Sequence, residues 1–451
     1  MLSPADADLA RRDRTIPGLA SVLDSEAFLA ALRSHLPGLG LRGIHPTYVH
    51  YKPLTRCMVA YRITTADAEL IAYADAYGPD AKVKLKKAQE IQRNTAGPQG
   101  PGALVMEDLA TAVYFFPTDR RLNVLRHLAN ADKTRKLLRM LFPGQKALKE
   151  GTLHPLRYKP ERRYVARLDT ARGPQAVVKF YTPAGYTAAK AGAQAFVSQG
   201  ALRLARTVGY SDRLHILAFE WQPGRLLRDI LVDGEVRQTD KAAAIELTGA
   251  ALAELHAHPA GGLGERTHEA ELRRLRAQAA TLEQLCPKLS HAARRLVGHI
   301  IARLRETPAT ALALHSDFYD QQVLITDEAA MILDLDQTEL GDPAADLGLF
   351  IAHLERAELQ NRMSSETLGM LAETLVRSYR QASPGITPPA IRLYTAIGLF
   401  YLAAEPFRYL EPDWPERIAA LLNRAEKVLD SLGTSARTTA WRDSGSRSVR
   451  R

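Results

Sequence analysis

The stretch LHSDFYDQQVLI, Leu314 to Ile325, sets an acid two places after a histidine and a glutamine five places after the acid, all between apolar residues. Its plainest reading is a turn between two short strands, with Ser316, Asp317 and Asp320 as the polar turn residues. The segment that follows, MILDLDQTELGDPAADLGLF from Met331 to Phe350, sharpens the question, because an apolar, strand-like run ends there in carboxylates and a Gly-Asp-Pro turn. Two carboxylate-bearing turns close together are what magnesium-assisted phosphoryl transfer requires. One carboxylate accepts or orients a hydroxyl proton, and hard oxygen donors hold a metal on the phosphates.

Composition leaves room for such an enzyme. A chain of 451 residues, 46% hydrophobic and 24% charged, has the balance of a globular protein with a sizeable core. No segment approaches the roughly 20 consecutive apolar residues of a membrane span. The opening MLSPADADLARRDRT lacks an apolar h-region, so no secretory signal is read and the cytoplasm is the default expectation. Cys57 and Cys286 stand far apart and outside any CxxC spacing, which argues against a zinc site or a disulfide framework. A net charge of +10 is compatible with nucleic acid, a membrane surface or an anionic nucleotide and selects none of them. Because the arginines are spread over helical patterns such as AELRRLRAQ, no nucleic-acid or membrane partner is expected.

Residues 1–24 read as an N-terminal arm and 434–451 as a disordered basic tail. From about Gln238 the pattern is helical, interrupted only by the two acidic turns. Between Thr152 and Trp221 the runs RRYVARLD, QAVVKFY and HILAFEW alternate as strands, with one helix-like stretch near Thr187 to Ala205. An earlier part of the chain repeats this small unit: HPTYVHYKPLTRCMVAYR (His45 to Arg62) parallels HPLRYKPERRYVARLD (His154 to Asp169). In both, an arginine, Arg56 or Arg163, follows the tyrosine by five residues, and Asp75 falls where the later copy has Lys179. The expected order is therefore a degenerate repeat over 25–140, a β-rich lobe over 141–225 and a helical lobe over 226–433.

Together these residues resemble the aminoglycoside phosphotransferase-like family of small-molecule kinases, over about Leu153 to Leu432. That family has His-Gly-Asp with an asparagine five residues on, where this chain has His315, Ser316, Asp317 and Gln322. Its metal segment is matched by Ile332-Leu333-Asp334, Gly341-Asp342-Pro343 and Asp346-Leu347. The resemblance implies an α+β, protein-kinase-like bilobal fold with ATP and Mg²⁺ as cofactors and a small-molecule hydroxyl as acceptor. It also assigns roles: Asp317 as the catalytic aspartate that accepts or orients the hydroxyl proton, His315 as loop support, and Asp334 and Gln322 as metal ligands. Lys179 would meet nucleotide phosphates, and the backbone near Glu220 to Gln222 would pair with adenine. Beside the resemblance, Arg163, Arg162 or Lys159 could reach phosphates with side chains, a solvated strand turn being the alternative. Asp342 and Asp346 are expected to turn the chain and cap the next helix, and His256 to be a satisfied core histidine.

Three departures accompany the match. RYKPERRY has no glycine where kinases use a glycine-rich loop. No glutamate stands on the helix after Lys179, Gln194 being the nearest candidate, and Gln322 replaces the asparagine. They keep open a second reading, a pseudokinase-like nucleotide- or partner-binding module. For the degenerate repeat, packing or partner contact is expected, with a homodimer through it as one form.

Overall fold

A computed structural model of the chain describes residues 2–95, 102–259, 261–308, 310–326 and 329–443, with side chains described as far as Leu432. The chain divides into two compact units. The first comprises Met1–Thr187, Arg206–Trp221 and Glu405–Pro415, and the second the remainder.

The first unit begins with helices α1 (Pro4–Arg12), α2 (Leu19–Leu23) and α3 (Ser25–His35). Strands β1 (Gly43–Lys52), β2 (Arg56–Thr64) and β3 (Glu69–Tyr77) follow, then α4 (Ala81–Thr95), β4 (Ala103–Met106) and β5 (Thr111–Phe115). These strands form an antiparallel sheet of order β1-β2-β3-β5-β4. Next come α5 (Ala131–Leu141), α6 (Lys146–Lys149), β6 (Thr152–Lys159), β7 (Arg163–Thr170), β8 (Gly173–Tyr181), the start of α7 (Pro183–Ala195), whose later residues with the short β9 (Leu202–Arg203) belong to the second unit, and then β10 (Thr207–Ser211) and β11 (Ile216–Glu220). The second sheet runs β6-β7-β8-β11-β10. Read by position, the two strand orders are the same, and each sheet places a helix after its third strand.

The likeness extends to register. Each first hairpin carries a bulge after its proline, between Pro46 and Tyr48 and between Pro155 and Arg157. Each closes on a Lys–Arg pair, Lys52↔Arg56 and Lys159↔Arg163. Two residues into the second strand, Met58 pairs with Asp75 and Val165 pairs with Lys179. Asp75 and Lys179 therefore occupy the same place in the two sheets.

Burial differs between them. On β7 it alternates, so Tyr164, Ala166 and Leu168 enter a core with Val178, Phe180 and the α5 residues Leu137, Leu138 and Leu141. Arg163 and Lys179 lie on the opposite, more open face. In the first sheet both faces are covered. Tyr61 stacks on Phe28 of α3 at 5.0 Å on one side, while Met58, Tyr73 and Tyr114 pack with Leu85 and Ala88 of α4 and with Tyr158 on the other.

The first 24 residues, read above as an N-terminal arm, carry buried side chains. Leu9, Ile16, Leu19 and Val22 are buried, because α1 and α2 each set an apolar stripe inward. The segment Glu405–Pro415 also joins this unit: Phe407 meets Tyr51 at 6.0 Å, Tyr409 meets Tyr48 at 5.8 Å, and the Trp414 indole donates to Asp6 at 3.1 Å. A neighbour for the first sheet is thus supplied within the chain.

The second unit holds β12 (Arg225–Leu226), α8 (Leu227–Val232), α9 (Gln238–His256), α10 (His268–Leu285) and α11 (Ser290–Glu306). It continues with β13 (Leu312–Leu314), β14 (Val323–Ile325), β15 (Ala330–Ile332), β16 (Glu339–Gly341), α12 (Ala344–Leu359), α13 (Ser365–Ala382) and α14 (Pro388–Leu402). After α15 (Glu405–Arg408), α16 (Trp414–Asp443) ends the described chain. The helical reading of 434–443 departs from the disordered tail expected there. Once a helix is nucleated by the packed turns before it, each added residue costs little. The rest of that tail lies outside the described residues. Strands here are few, in a sheet of order β12-β14-β15-β9 and a two-stranded ribbon β13-β16. No helix among the described residues is long and apolar enough to cross a membrane.

Candidate active site

The two acidic turns run side by side because both their ends are tied. The catalytic-type loop leaves β13 and enters β14, while the metal-type loop leaves β15 and enters β16. Leu314 pairs with Glu339 at one end and Val323 with Ile332 at the other. Between these ties the Leu333 amide donates to the Gln322 carbonyl at 2.7 Å.

His315 joins the loops through its side chain. It is fully buried, its Nε2 donating to the Leu333 carbonyl at 2.7 Å and its Nδ1 accepting the Asp317 amide at 3.2 Å. One ring thus fixes the residue before Asp334 and the backbone of Asp317 together. With both nitrogens engaged, it works as a positioning residue. Phe318 anchors the loop from below, lying 5.5 Å from both His315 and Phe350 ring centroids.

The turns themselves are strained. Ser316 and Asp334 adopt left-handed backbone conformations, with φ of +68° and +64°. Such conformations cost an L-residue on the order of 1–3 kcal/mol and persist where surroundings over-determine them. Here Asp346 does much of that at Ser316. Its Oδ2 accepts the His315 amide at 2.7 Å and its Oδ1 the Ser316 amide at 2.8 Å. The same Oδ2 accepts from His256 Nε2 at 3.0 Å, and His256 Nδ1 accepts the Tyr379 hydroxyl at 2.9 Å. Burial works against ionisation at Asp346, yet the His256 ring and the His315 amide hold its carboxyl below the usual carboxylate range. Asp346 therefore braces the catalytic-type loop rather than capping α12, a correction to the expectation. Asp342 does serve the helix start, accepting the Ala344 amide at 2.9 Å. His256 is the satisfied core histidine expected.

Asp317 is partly exposed, and Gln337 donates to its Oδ2 at 3.2 Å. Gln322 sits buried in a short 3-10 turn just before β14. Asp320 is buried beside Arg228 of α8 at 3.8 Å, and burial raises its carboxyl despite that charge. Sequence reasoning missed Gln337, and no spacing rule would have found it, since its reach depends on how the two loops lie together. It missed Gly192 of α7 as well. A Cβ there would stand 2.0 Å from the Leu335 carbonyl oxygen and 2.7 Å from Thr338 Oγ1, so this helix rests directly on the metal-type loop.

Asp317, His315, Gln322 and Asp334 are thus brought together in the second unit, which also holds Gln222. Lys179, Arg163 and Glu220 share the second sheet of the first unit. The Lys179 ammonium stands 5.4 Å over the Phe219 ring. Glu220 ends β11 and pairs with Arg206 at 3.3 Å. Gln194 is exposed on α7.

A five-stranded antiparallel sheet with a helix after its third strand, followed by a helical part carrying paired acidic loops, defines a kinase-like phosphotransferase. The chain belongs to the phosphotransferase enzyme family, whose model matches residues 156–394. It is accordingly an enzyme, a phosphotransferase. Among solved structures it is similar to a candidate aminoglycoside phosphotransferase from Ralstonia eutropha, with 16% identity, a TM-score of 0.51, and coverage of 68% of this chain and 98% of that one. It is also similar to a choline/ethanolamine kinase family protein from Mesorhizobium loti, with 17% identity, a TM-score of 0.47, and coverage of 66% and 94%. At such identities the likeness is one of fold. No curated protein matches the chain.

Proposed function

We propose that this phosphotransferase moves the γ-phosphoryl group of ATP to a hydroxyl of a small molecule, with Asp317 accepting or orienting the hydroxyl proton. The observation that carries the reading is the pairing of the two acidic loops, in which His315 fixes Asp317 and the segment before Asp334 with one buried ring. Asp334 and the side-chain carbonyl of Gln322 offer two hard oxygen donors on adjoining segments. That set suits Mg²⁺, which keeps waters and substrate phosphates in its shell rather than filling a protein cage. When bound, the ion would neutralise charge on the transferring phosphates. Lys179 and Arg163, on the open face of the second sheet, are the residues we assign to phosphate contact, and the Glu220 to Gln222 backbone to adenine. Helices α10 and α11 with the C-terminal helices would shape the acceptor pocket. The net charge of +10 leans away from a polycationic acceptor and toward a sugar or similar metabolite hydroxyl.

The exposure and neutrality of Gln194 favour the rival reading, a pseudokinase-like module, because kinases brace the lysine with a glutamate on this helix. Titration with Mg·ATP separates the two. Asp334→Asn should weaken Mg·ATP binding at least tenfold, and Asp317→Asn should bind within about twofold of wild type. Equal affinity in all three proteins, or no binding by wild type at millimolar Mg·ATP, would overturn the proposal.

A further inference from the structure

The tip of the β6–β7 hairpin is the part of the second sheet that, on the reading above, covers the nucleotide phosphates without a glycine. Its turn, Lys159-Pro160-Glu161-Arg162-Arg163, closes with the Arg162 amide on the Lys159 carbonyl at 3.1 Å, and Glu161 takes φ +60°. The β1–β2 turn of the first sheet repeats it: Thr55 donates to Lys52 at 3.1 Å, and Leu54 takes φ +59°. Proline followed by a positive-φ residue gives a type II turn, whose third position normally calls for glycine.

Both tips are also clamped alike. Asp119 Oδ2 accepts the Glu161 amide at 2.8 Å and the Tyr158 hydroxyl at 2.7 Å. Asp13 Oδ2 accepts the Leu54 amide at 2.8 Å and the Tyr51 hydroxyl at 2.7 Å. This parallel supports treating the two sheets as copies of one unit that begins near Asp13 and near Asp119.

The side chains then part ways. Leu54 is 53% exposed, whereas Glu161 is 4% exposed, the reverse of what a leucine and a glutamate prefer. The Glu161 carboxylate accepts from Arg56 Nη2 at 3.0 Å, Arg120 Nε at 2.7 Å and Arg120 Nη2 at 2.6 Å. Asp75 completes the group, 3.2 Å from Arg56 and 3.8 Å from Arg120. Two arginines and two carboxylates balance in a buried cluster. Arg56 and Asp75 stand at the register positions that Arg163 and Lys179 hold in the second sheet. The first sheet thus spends its phosphate-side face on a carboxylate from its own chain.

We propose that Glu161 is a positioning residue, plugged into an arginine socket on the first sheet so that the β6–β7 hairpin is held in place over the nucleotide without a glycine-rich loop. The first sheet is then an anchor for that hairpin, and its own nucleotide-side face is closed to ligand. The proposal rests on the ATP reading above for what the hairpin covers, whereas the socket itself does not depend on it.

The test uses the full chain, with amide hydrogen exchange of residues 157–164 and steady-state kinetics as separate readouts. Glu161→Gln should raise exchange in the hairpin about tenfold and raise KM for ATP about tenfold with kcat within about threefold. The charge-balanced pair Glu161→Gln with Arg120→Gln guards against a variant that unfolds from an unpaired buried charge. It should fold and show the same fast exchange and raised KM. Wild-type exchange in the folded pair would overturn the socket, and wild-type KM with fast exchange would overturn its positioning role. Should wild type neither bind nor turn over ATP, the functional reading fails, while the exchange result still decides whether Glu161 anchors the hairpin.

Discussion

Ser316 shows how a single residue can carry both a family trait and its departure from it. It stands where the related family has glycine, and its φ of +68° explains that glycine directly. Its Oγ is also buried without a hydrogen-bond partner. The left-handed backbone costs on the order of 1–2 kcal/mol, and an orphaned hydroxyl on the order of 1–3 kcal/mol. Glycine sheds both but loses more chain entropy on folding. Ser316→Gly should therefore raise stability by about 1 kcal/mol with transfer retained, as read by urea unfolding and initial rates. A variant less stable than wild type would refute the strain argument. At this scale the sequence marks Asp317, His315, Gln322 and Asp334 by spacing within two short motifs, and the fold sets those motifs side by side. The hydrogen bond from Gln337 was not, since it joins two loops that only the paired ribbons bring together.

Among the elements, α7 and α12 hold the loops from outside. Asp346, in the first turn of α12, accepts both loop amides and the His256 ring, and asparagine, with one acceptor oxygen and an NH2 that can only donate, satisfies fewer of them. Asp346→Asn should cost about 1–3 kcal/mol and lower kcat more than it raises KM, measured by thermal unfolding and kinetics. Unchanged stability would contradict the bracing role. Gly192 of α7 meets the Leu335 carbonyl so closely that Gly192→Ala must push the helix or the loop aside. A loss of about 1–3 kcal/mol and reduced activity are expected, with wild-type values in both counting against the contact. The helices were readable from their 3.6-residue apolar period, since α9, α10 and α11 fall where it ran. The start of α7 at Pro183 was placed four residues late, because proline reads as a breaker although it suits a helix's first turn. The job of Asp346 was misread for a related reason: an acid in a first turn looks like a cap until tertiary partners are known.

Across the whole molecule, the His-Pro and Tyr-Lys-Pro motifs suggested a repeat and the two sheets share a strand order, yet what the first sheet does was not legible. The Asp13 and Asp119 clamps and the socket for Glu161 join residues 38 to 105 positions apart, beyond any local pattern. The Glu405–Pro415 segment, packed on β1, is more distant still. The buried cluster makes a pH-dependent claim. Burial drives the Asp75 carboxyl up to about 6, with Arg56 pulling it back and Glu161 adding to the rise. The folded chain then holds that proton more tightly than the unfolded one, whose carboxyl titrates near 3.8. This stabilisation is full well below pH 3.8 and is lost as pH rises through about 6, so wild type should lose about 2 kcal/mol relative to Asp75→Asn between pH 4 and 7. Urea unfolding at both pH values would show it, and a pH-independent difference would contradict it. The central claim concerns transfer itself, and single-turnover transfer of labelled γ-phosphate from Mg·ATP to a panel of sugars, aminoglycosides and amino alcohols tests it most directly. The expected result is label in a phosphate ester of at least one acceptor, with a rate about 10²–10⁴ lower in Asp317→Asn. No labelled acceptor with wild type, or an undiminished rate in Asp317→Asn, would contradict the account.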